Sequence, residues 1–476
     1  MAGKVQPRIK ALIAIGIFTF MSTLDGSIVN IALPTMSREL NVTTSQVTWV
    51  VTIYLIVISA IILIFGRLSD LIGKSKVTKI GWGIFIFGSF LAGLNLGQGL
   101  TILLIARVVQ ALGASMMMAT SFGLVAQIFP IETRARALSI NAMFVSVGAI
   151  AGPALGGLIL QIASWNYIFW INVPIGIVAW IYGNRALPKD ESHGSIKDID
   201  LIGGLQMMIV LVLIFVTLNF AQVIGWTNPI ILIAALFAII FFVTFVITEK
   251  RKTIPLLNLN IFKSKLLSIS LFMALLNFTV AMFSSILLPF YLQDFKGFVP
   301  GFAGLIMMCY PVGMLIFSPI SGWMSDRIDK ELVTFIGICL IVVAQVGYFF
   351  INATSSPYMV AGILFIQGSA MGTFQSPNNA LIMETVERNY LGIVGSVNSL
   401  IRNVAFVLGT SVATISLFMS MSSQLGKKVT TYLKDQPGVF INGIHFSFEI
   451  ALIVVLISWV LCLVRLLSRK RTVAGK

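Results

Sequence analysis

The sequence predicts an all-α membrane protein of about fourteen spanning helices, built as two six-helix bundles with a pair of helices inserted between them. Three observations carry this prediction. Of the 476 residues, 58% are hydrophobic and only 10% are charged. Soluble globular proteins carry roughly 25% charged residues, so lipid must accept most of this apolar surface. The apolar residues come in unalternated runs of about twenty, the length of a bilayer-crossing helix, whereas barrel strands would alternate. Finally, one short charged pattern occurs twice: "GRLSDLIGKSKV" from Gly66 and "GWMSDRIDKELV" from Gly322.

The elements follow in order. The first run, 11–33, comes after Lys4, Arg8 and Lys10. It is far longer than the apolar part of a signal peptide and has no small-residue cleavage site behind it, so it reads as a retained span. Runs near 46–66 and 79–98 flank the first charged pattern, and 100–122, 137–160 and 167–184 complete a set of six. The polar stretch "GNRALPKDESHGSIKDID" follows as a linker. Spans near 201–220 and 229–248 come next, and "EKRKTIPLLNLNIFKSK" forms a second linker. Runs near 267–292 and 302–323 lead into the second charged pattern, and 333–351, 358–380, 392–416 and 444–464 close the second set. The chain therefore divides into 1–185, 186–265 and 266–476. Two halves related by a parallel repeat are the plan of a transporter with its site at midplane.

The formal charge of +15 is a topology signal. With the N-terminus inside, cytoplasmic segments hold about twenty-five Lys and Arg and the external loops about five, which places both termini in the cytoplasm of a plasma membrane and leaves nothing that requires nucleic acid. Cys309, Cys339 and Cys462 lie in apolar runs without CxxC spacing and read as small buried hydrophobes. Two histidines do not make a metal site. There is no GxxxxGK[ST], HExxH or GxSxG, so neither a nucleotide, a cofactor nor enzyme chemistry is expected. A channel built from repeated subunits fits the two-half repeat poorly.

Several motifs carry a family resemblance. "LDGSIVNIALP" is similar to LDxTIVNVALP, with Ser27 for Thr, and "GRLSDLIGKSKV" to GxLaDrxGrkxxl, with Leu71 where a base is usual. "ARVVQALGASMM" is similar to RxxQGxgaa, with Ala111 for the first Gly, and "GAIAGPALGG" to GxxxGPxxGG in full. "LLPFYLQDFKGFVPGFAGLIMM" follows a pattern around YLQ, with Asp294 a departure. The chain resembles the major facilitator superfamily, and within it the fourteen-helix drug:proton antiporters of the EmrB/QacA type. The resemblance implies multidrug efflux, with antibiotic resistance as its consequence. Protons move inward and amphipathic, cationic compounds outward, by alternating access in a monomeric protein. Tetracycline–metal complexes, lipids or fatty acids are the alternative substrates for the same fold.

The residues give this reading physical content. Gly148, Gly152 and Gly156 recur on one helical face, where small side chains let helices approach closely, and Pro153 interrupts the backbone ladder. With Gly157 they form the expected hinge. Gly66, Asp70, Gly73 and Lys74 form the first charged turn. By resemblance it is a cytoplasmic latch, with Arg134 and Arg136 as partners and Asp326 as a weaker counterpart.

Ionisable residues within a span are functional hypotheses by default. Asp25 and Arg107 reach similar depth, roughly 5–6 Å outside the centres of their helices. They are expected to form a proton-coupling pair with Gln110 nearby, the alternative being a static ion pair. Glu449 is a second candidate for protons or cationic substrate, the alternative being an interfacial residue, with Arg402 as its counterion. Asn277 and Gln367, with Asp25, Glu449 and Arg402, are the candidate substrate contacts.

Overall fold

The computed structural model describes residues 2–94, 99–188, 190, 201–225, 227–252, 259–384, 391–432 and 436–474. They are helical throughout, with no strand among them. Fourteen long helices run α1 (Ala2–Glu39), α2 (Trp49–Ile72), α3 (Lys74–Gly93), α4 (Leu100–Ile128), α5 (Ile131–Ile162), α6 (Asn172–Ala186), α7 (Leu201–Ile224), α8 (Pro229–Arg251), α9 (Lys265–Phe290), α10 (Cys309–Ser325), α11 (Lys330–Tyr348), α12 (Pro357–Glu384), α13 (Leu391–Leu425) and α14 (Pro437–Ala474). Twelve helices among the described residues are long and apolar enough to cross a membrane. The remaining two, α3 and α12, are of spanning length but more polar, and glycines on each let a neighbouring helix approach closely.

The chain forms two compact units, Met1–Val42 with Gln46–Asn258, and Thr43–Ser45 with Leu259–Lys476. In the first unit α1 lies on α5, α4 packs on both α2 and α3, and α6 packs on α1 and α3. In the second, α9 lies on α13, α12 packs on both α10 and α11, and α14 packs on α9 and α11. Each pair reappears eight helices later, so the repeated charged turn marks a repeat of the whole packing scheme. Pro34 precedes Asp70 by 36 residues and Pro289 precedes Asp326 by 37. A π turn at Tyr291–Phe295, which accommodates one additional residue, falls in that interval.

The inserted helices belong to the first unit. α7 and α8 pack on each other, and α7 rests on α2, with the Trp49 and Phe220 rings 5.5 Å apart. Most side chains of α8 are exposed, and the exposed ones are apolar except at its C-terminal end, as expected of a helix bathed in lipid.

Candidate functional site

The polar centre of the first unit is assembled from five helices. α1 supplies Asp25 and α4 supplies Arg107 and Gln110, which at three-residue spacing share a face. α2, α3 and α6 contribute Val50, Ser89 and Asn172. Asp25 and Arg107 are 0% and 1% exposed. Arg107 Nη1 donates to Asp25 Oδ2 at 2.6 Å and to Gln110 Oε1 at 2.6 Å, while its Nε donates to the Val50 carbonyl at 3.0 Å. Asp25 Oδ1 accepts from Gln110 Nε2 at 2.8 Å and from Asn172 Nδ2 at 3.1 Å. Gln110 Nε2 also donates to Ser89 Oγ at 2.9 Å. The guanidinium carbon lies 4.0 Å from the centre of the Tyr54 ring, within range of a cation–π attraction.

Each charge here is matched. Protonating Asp25 would cancel the carboxylate and leave the Arg107 cation buried without its counter-charge, which is strongly unfavourable unless the helices rearrange. The expected meeting of Asp25, Arg107 and Gln110 is observed. Asn172, Ser89 and Tyr54 complete the centre, although none was singled out in the sequence.

The glycine stripe of α5 forms the bed on which α1 lies. A Cβ at Gly148 would come 2.6 Å from the Phe20 carbonyl oxygen, one at Gly152 1.8 Å from Ser27 Oγ, and one at Gly156 2.6 Å from Ile31 Cγ2. Ser27 Oγ donates to the Gly148 carbonyl at 3.3 Å. Gly157 and Pro153 are buried beside them. The stripe thus holds the helix that carries Asp25.

In the first charged turn, Asp70 pairs with Lys74 one helical turn away, Oδ1 to Nζ 2.5 Å, on a partly exposed surface. Gly66 has open space around it. Gly73 adopts φ +107°, a conformation that favours glycine, and a Cβ there would lie 2.3 Å from the Asp190 side chain. Asp190, from the segment after α6, accepts from Ser75 N at 3.0 Å and Lys76 N at 2.6 Å and so caps α3. This residue escaped the sequence reading. The side chains of Arg134 and Arg136 lie outside the described ones. Asp326 is exposed and joins no ion pair among the described residues.

The second unit holds the remaining candidates. Glu449 is exposed, and at 3.6 residues per turn Ile453, Leu456, Val460 and Leu467 fall within about 40° of it on α14. All four are exposed as well, so Glu449 sits on the apolar outer stripe of the helix. No ion pair joins it to Arg402. Asn277 is buried and its Nδ2 donates to Ser458 Oγ at 2.7 Å, which ties α9 to α14. Gln367 is buried and its Oε1 accepts from Tyr348 Oη at 2.5 Å, which ties α12 to α11. Both amides bond across helices, and Asn277 Oδ1 and Gln367 Nε2 are left without a partner among the described residues. Arg402 remains half-buried on α13.

Comparison with known proteins agrees with the fold. The Major Facilitator Superfamily model matches residues 15–410, and the chain belongs to that family. It is an integral membrane transporter. Among its relatives is the riboflavin transporter RibZ of Clostridioides difficile (strain 630), 34% identical over 94% of this chain and 96% of the relative. Another is the multidrug export protein EmrB of Escherichia coli (strain K12), 29% identical over 84% of this chain and 78% of the relative. A POT family transporter solved in complex with 5-aminolevulinic acid superposes with a TM-score of 0.70 at 15% identity, covering 94% of both chains, a likeness of fold alone.

Proposed function

We propose that the protein is a fourteen-helix proton antiporter of the plasma membrane that exports amphipathic organic compounds by alternating access. It works as a monomer with both termini in the cytoplasm. Asp25 is the proton acceptor and Arg107 the cation that sets its charge state. The observation that carries this reading is the buried Asp25–Arg107 pair, set against the second unit. Aligned on Pro34 and Pro289, Asp25 falls opposite Val280; aligned on Gln110 and Gln367, Arg107 falls opposite Leu364. Both apolar residues are buried. The same helix pairs therefore pack without any charge, which disfavours the reading of a static ion pair kept for packing. Export is supported by the relationship to EmrB.

A second reading has support of its own: the relationship to RibZ favours a flavin or a similar heteroaromatic compound as cargo. Everted membrane vesicles separate the two. Proton-driven antiport predicts that the amphipathic carboxylate dye 1-pyrenebutyrate accumulates only under a pH gradient and that a protonophore abolishes it. Riboflavin uptake without uptake of the dye selects the second reading. Equal accumulation of the dye with and without the gradient refutes proton coupling.

A further inference from the structure

We propose that the second unit binds the head group of the cargo through Arg402, and that this head group is a hydrogen-bond acceptor such as a carboxylate or cyclic imide rather than a cation. The inference rests on the reading of the protein as a transporter of amphipathic compounds and specifies the chemistry of its cargo.

The argument starts from charge. An ionisable residue within a spanning helix is held by a partner, a cavity or a ligand. Arg107 has Asp25. Arg465, in α14, is buried and donates from Nη1 to Ser270 Oγ at 2.8 Å. Arg402 has no ion pair and no side-chain hydrogen bond among the described residues. The acid expected to neutralise it, Glu449, lies on the outer stripe of α14.

Orientation comes next. Asn398 and Phe406 lie one turn to either side of Arg402 on α13. Asn398 Nδ2 donates to Asn379 Oδ1 of α12 at 3.1 Å, and the Phe406 ring stands 5.7 Å from Phe278 of α9. The face that carries Arg402 is therefore turned toward α9 and α12, into the unit. Consecutive spanning helices run antiparallel, so one turn from Asn379 along α12 brings Gln375 to the depth of Arg402. Gln375 Oε1 and Asn398 Oδ1 are buried and have no hydrogen-bond partner.

These groups define a ligand. A guanidinium offers a rigid fork of donors and no acceptor, so it selects oxygens in a plane. Amide oxygens without donors ask for an N–H or O–H beside them. A cyclic imide carries both, and a carboxylate supplies the first. An ammonium supplies nothing for Arg402 and would be repelled by it.

The test uses full-length protein in lipid nanodiscs and two fluorescent probes on one ring system, 1,8-naphthalimide and 1-naphthylmethylammonium. Wild type is expected to bind the imide more tightly. Arg402→Gln should weaken the imide by at least about tenfold and leave the ammonium equal or improved, with Arg402→Lys between the two. Gln375→Leu keeps the charge and should lower imide affinity by a smaller factor, so the proposal stays testable even if Arg402→Gln does not fold. Tighter ammonium binding by wild type overturns the proposal. So does imide binding that is unchanged in both Arg402→Lys and Gln375→Leu, the result expected of an arginine that merely reaches lipid phosphate. If imide binding depends on Arg402 but no pH gradient drives transport of either probe, this inference stands and proton antiport falls.

Discussion

The two units repeat one packing scheme with opposite interiors. Where α1 and α4 bring Asp25 and Arg107 together in the first, α9 and α12 present Val280 and Leu364 in the second. Gln110 and Gln367 keep matching places, but the first completes an ionic network and the second only accepts a tyrosine hydroxyl. The helix starts differ in the same sense. α11 is capped by its own Asp329, whose carboxylate accepts from Glu331 N at 3.0 Å, whereas α3 begins at Gly73 and borrows the carboxylate of Asp190. Equivalent helix pairs thus pack with a buried ion pair in one unit and without one in the other.

The strongest way to break this comparison is to give the first unit the interior of the second. Asp25→Val combined with Arg107→Leu should leave a folded protein, since replacing a buried ion pair with apolar residues is neutral or stabilising by about 1–4 kcal/mol. Gradient-driven transport should vanish. Asp25→Asn alone leaves Arg107 uncompensated and should lower stability by about 3 kcal/mol as well as abolish uphill transport. Thermal unfolding in detergent and efflux from proteoliposomes check both. A double variant that still pumps would return the pair to a structural role.

Next in size is the contrast between glycines. A Cβ at Gly409 would lie 2.3 Å from the Thr279 carbonyl oxygen, backbone that cannot turn aside. At Gly152 the nearest atom is Ser27 Oγ, at the end of a side chain. Gly409→Ala is therefore expected to destabilise by about 2 kcal/mol. Gly152→Ala should destabilise less and recover in part when Ser27→Ala is added. Equal losses, with no recovery, would show that the α1–α5 bed is as rigid as its counterpart on α9 and α13.

The repeat, the spans and the Asp25–Arg107 pair were legible because each leaves a local or periodic mark: a run of twenty apolar residues, a doubled charged turn, a lone acid in lipid. Asn172 and Asp190 left no such mark. Asn172 is one polar residue in an apolar span, and only the fold brings it to Asp25 across 147 positions of sequence. Asp190 reads as linker charge until the segment is seen to fold back onto α3. Arg465 falls just beyond the last expected span, 444–464, yet it is buried against Ser270. Direction around a helix was the other hidden quantity. Depth along α14 was readable, but only packing shows which side of it Glu449 occupies.

The helix caps give a smaller effect. Asp190→Ala and Asp329→Ala each remove one carboxylate from a helix start and should each destabilise by about 1 kcal/mol. They differ in reach. Asp329→Ala removes the cap of α11, whereas Asp190→Ala also releases Asp190 from α3. Hydrogen exchange should then speed up at the Ser75 and Lys76 amides and, in the same variant, along the chain near residue 190. Faster exchange at the amides alone would show that the borrowed cap does not hold that segment in place.

The smallest expected effect belongs to the second candidate that the sequence offers. Glu449 shares its face of α14 with exposed Ile453, Leu456, Val460 and Leu467, so its carboxylate points away from the helices that α14 packs against. The packed side of α14 carries Ser447, Phe448 and Ala451, all fully buried. Glu449→Gln should change the transport of monovalent, divalent and neutral compounds by less than about twofold, and shift their pH dependence equally little. Arg402→Gln, on the inward face of the neighbouring α13, should by contrast separate compounds by charge. If Glu449→Gln selectively weakens a divalent cation, the outer stripe of α14 is a binding surface, and the distinction between the acid outside and the base inside the second unit fails.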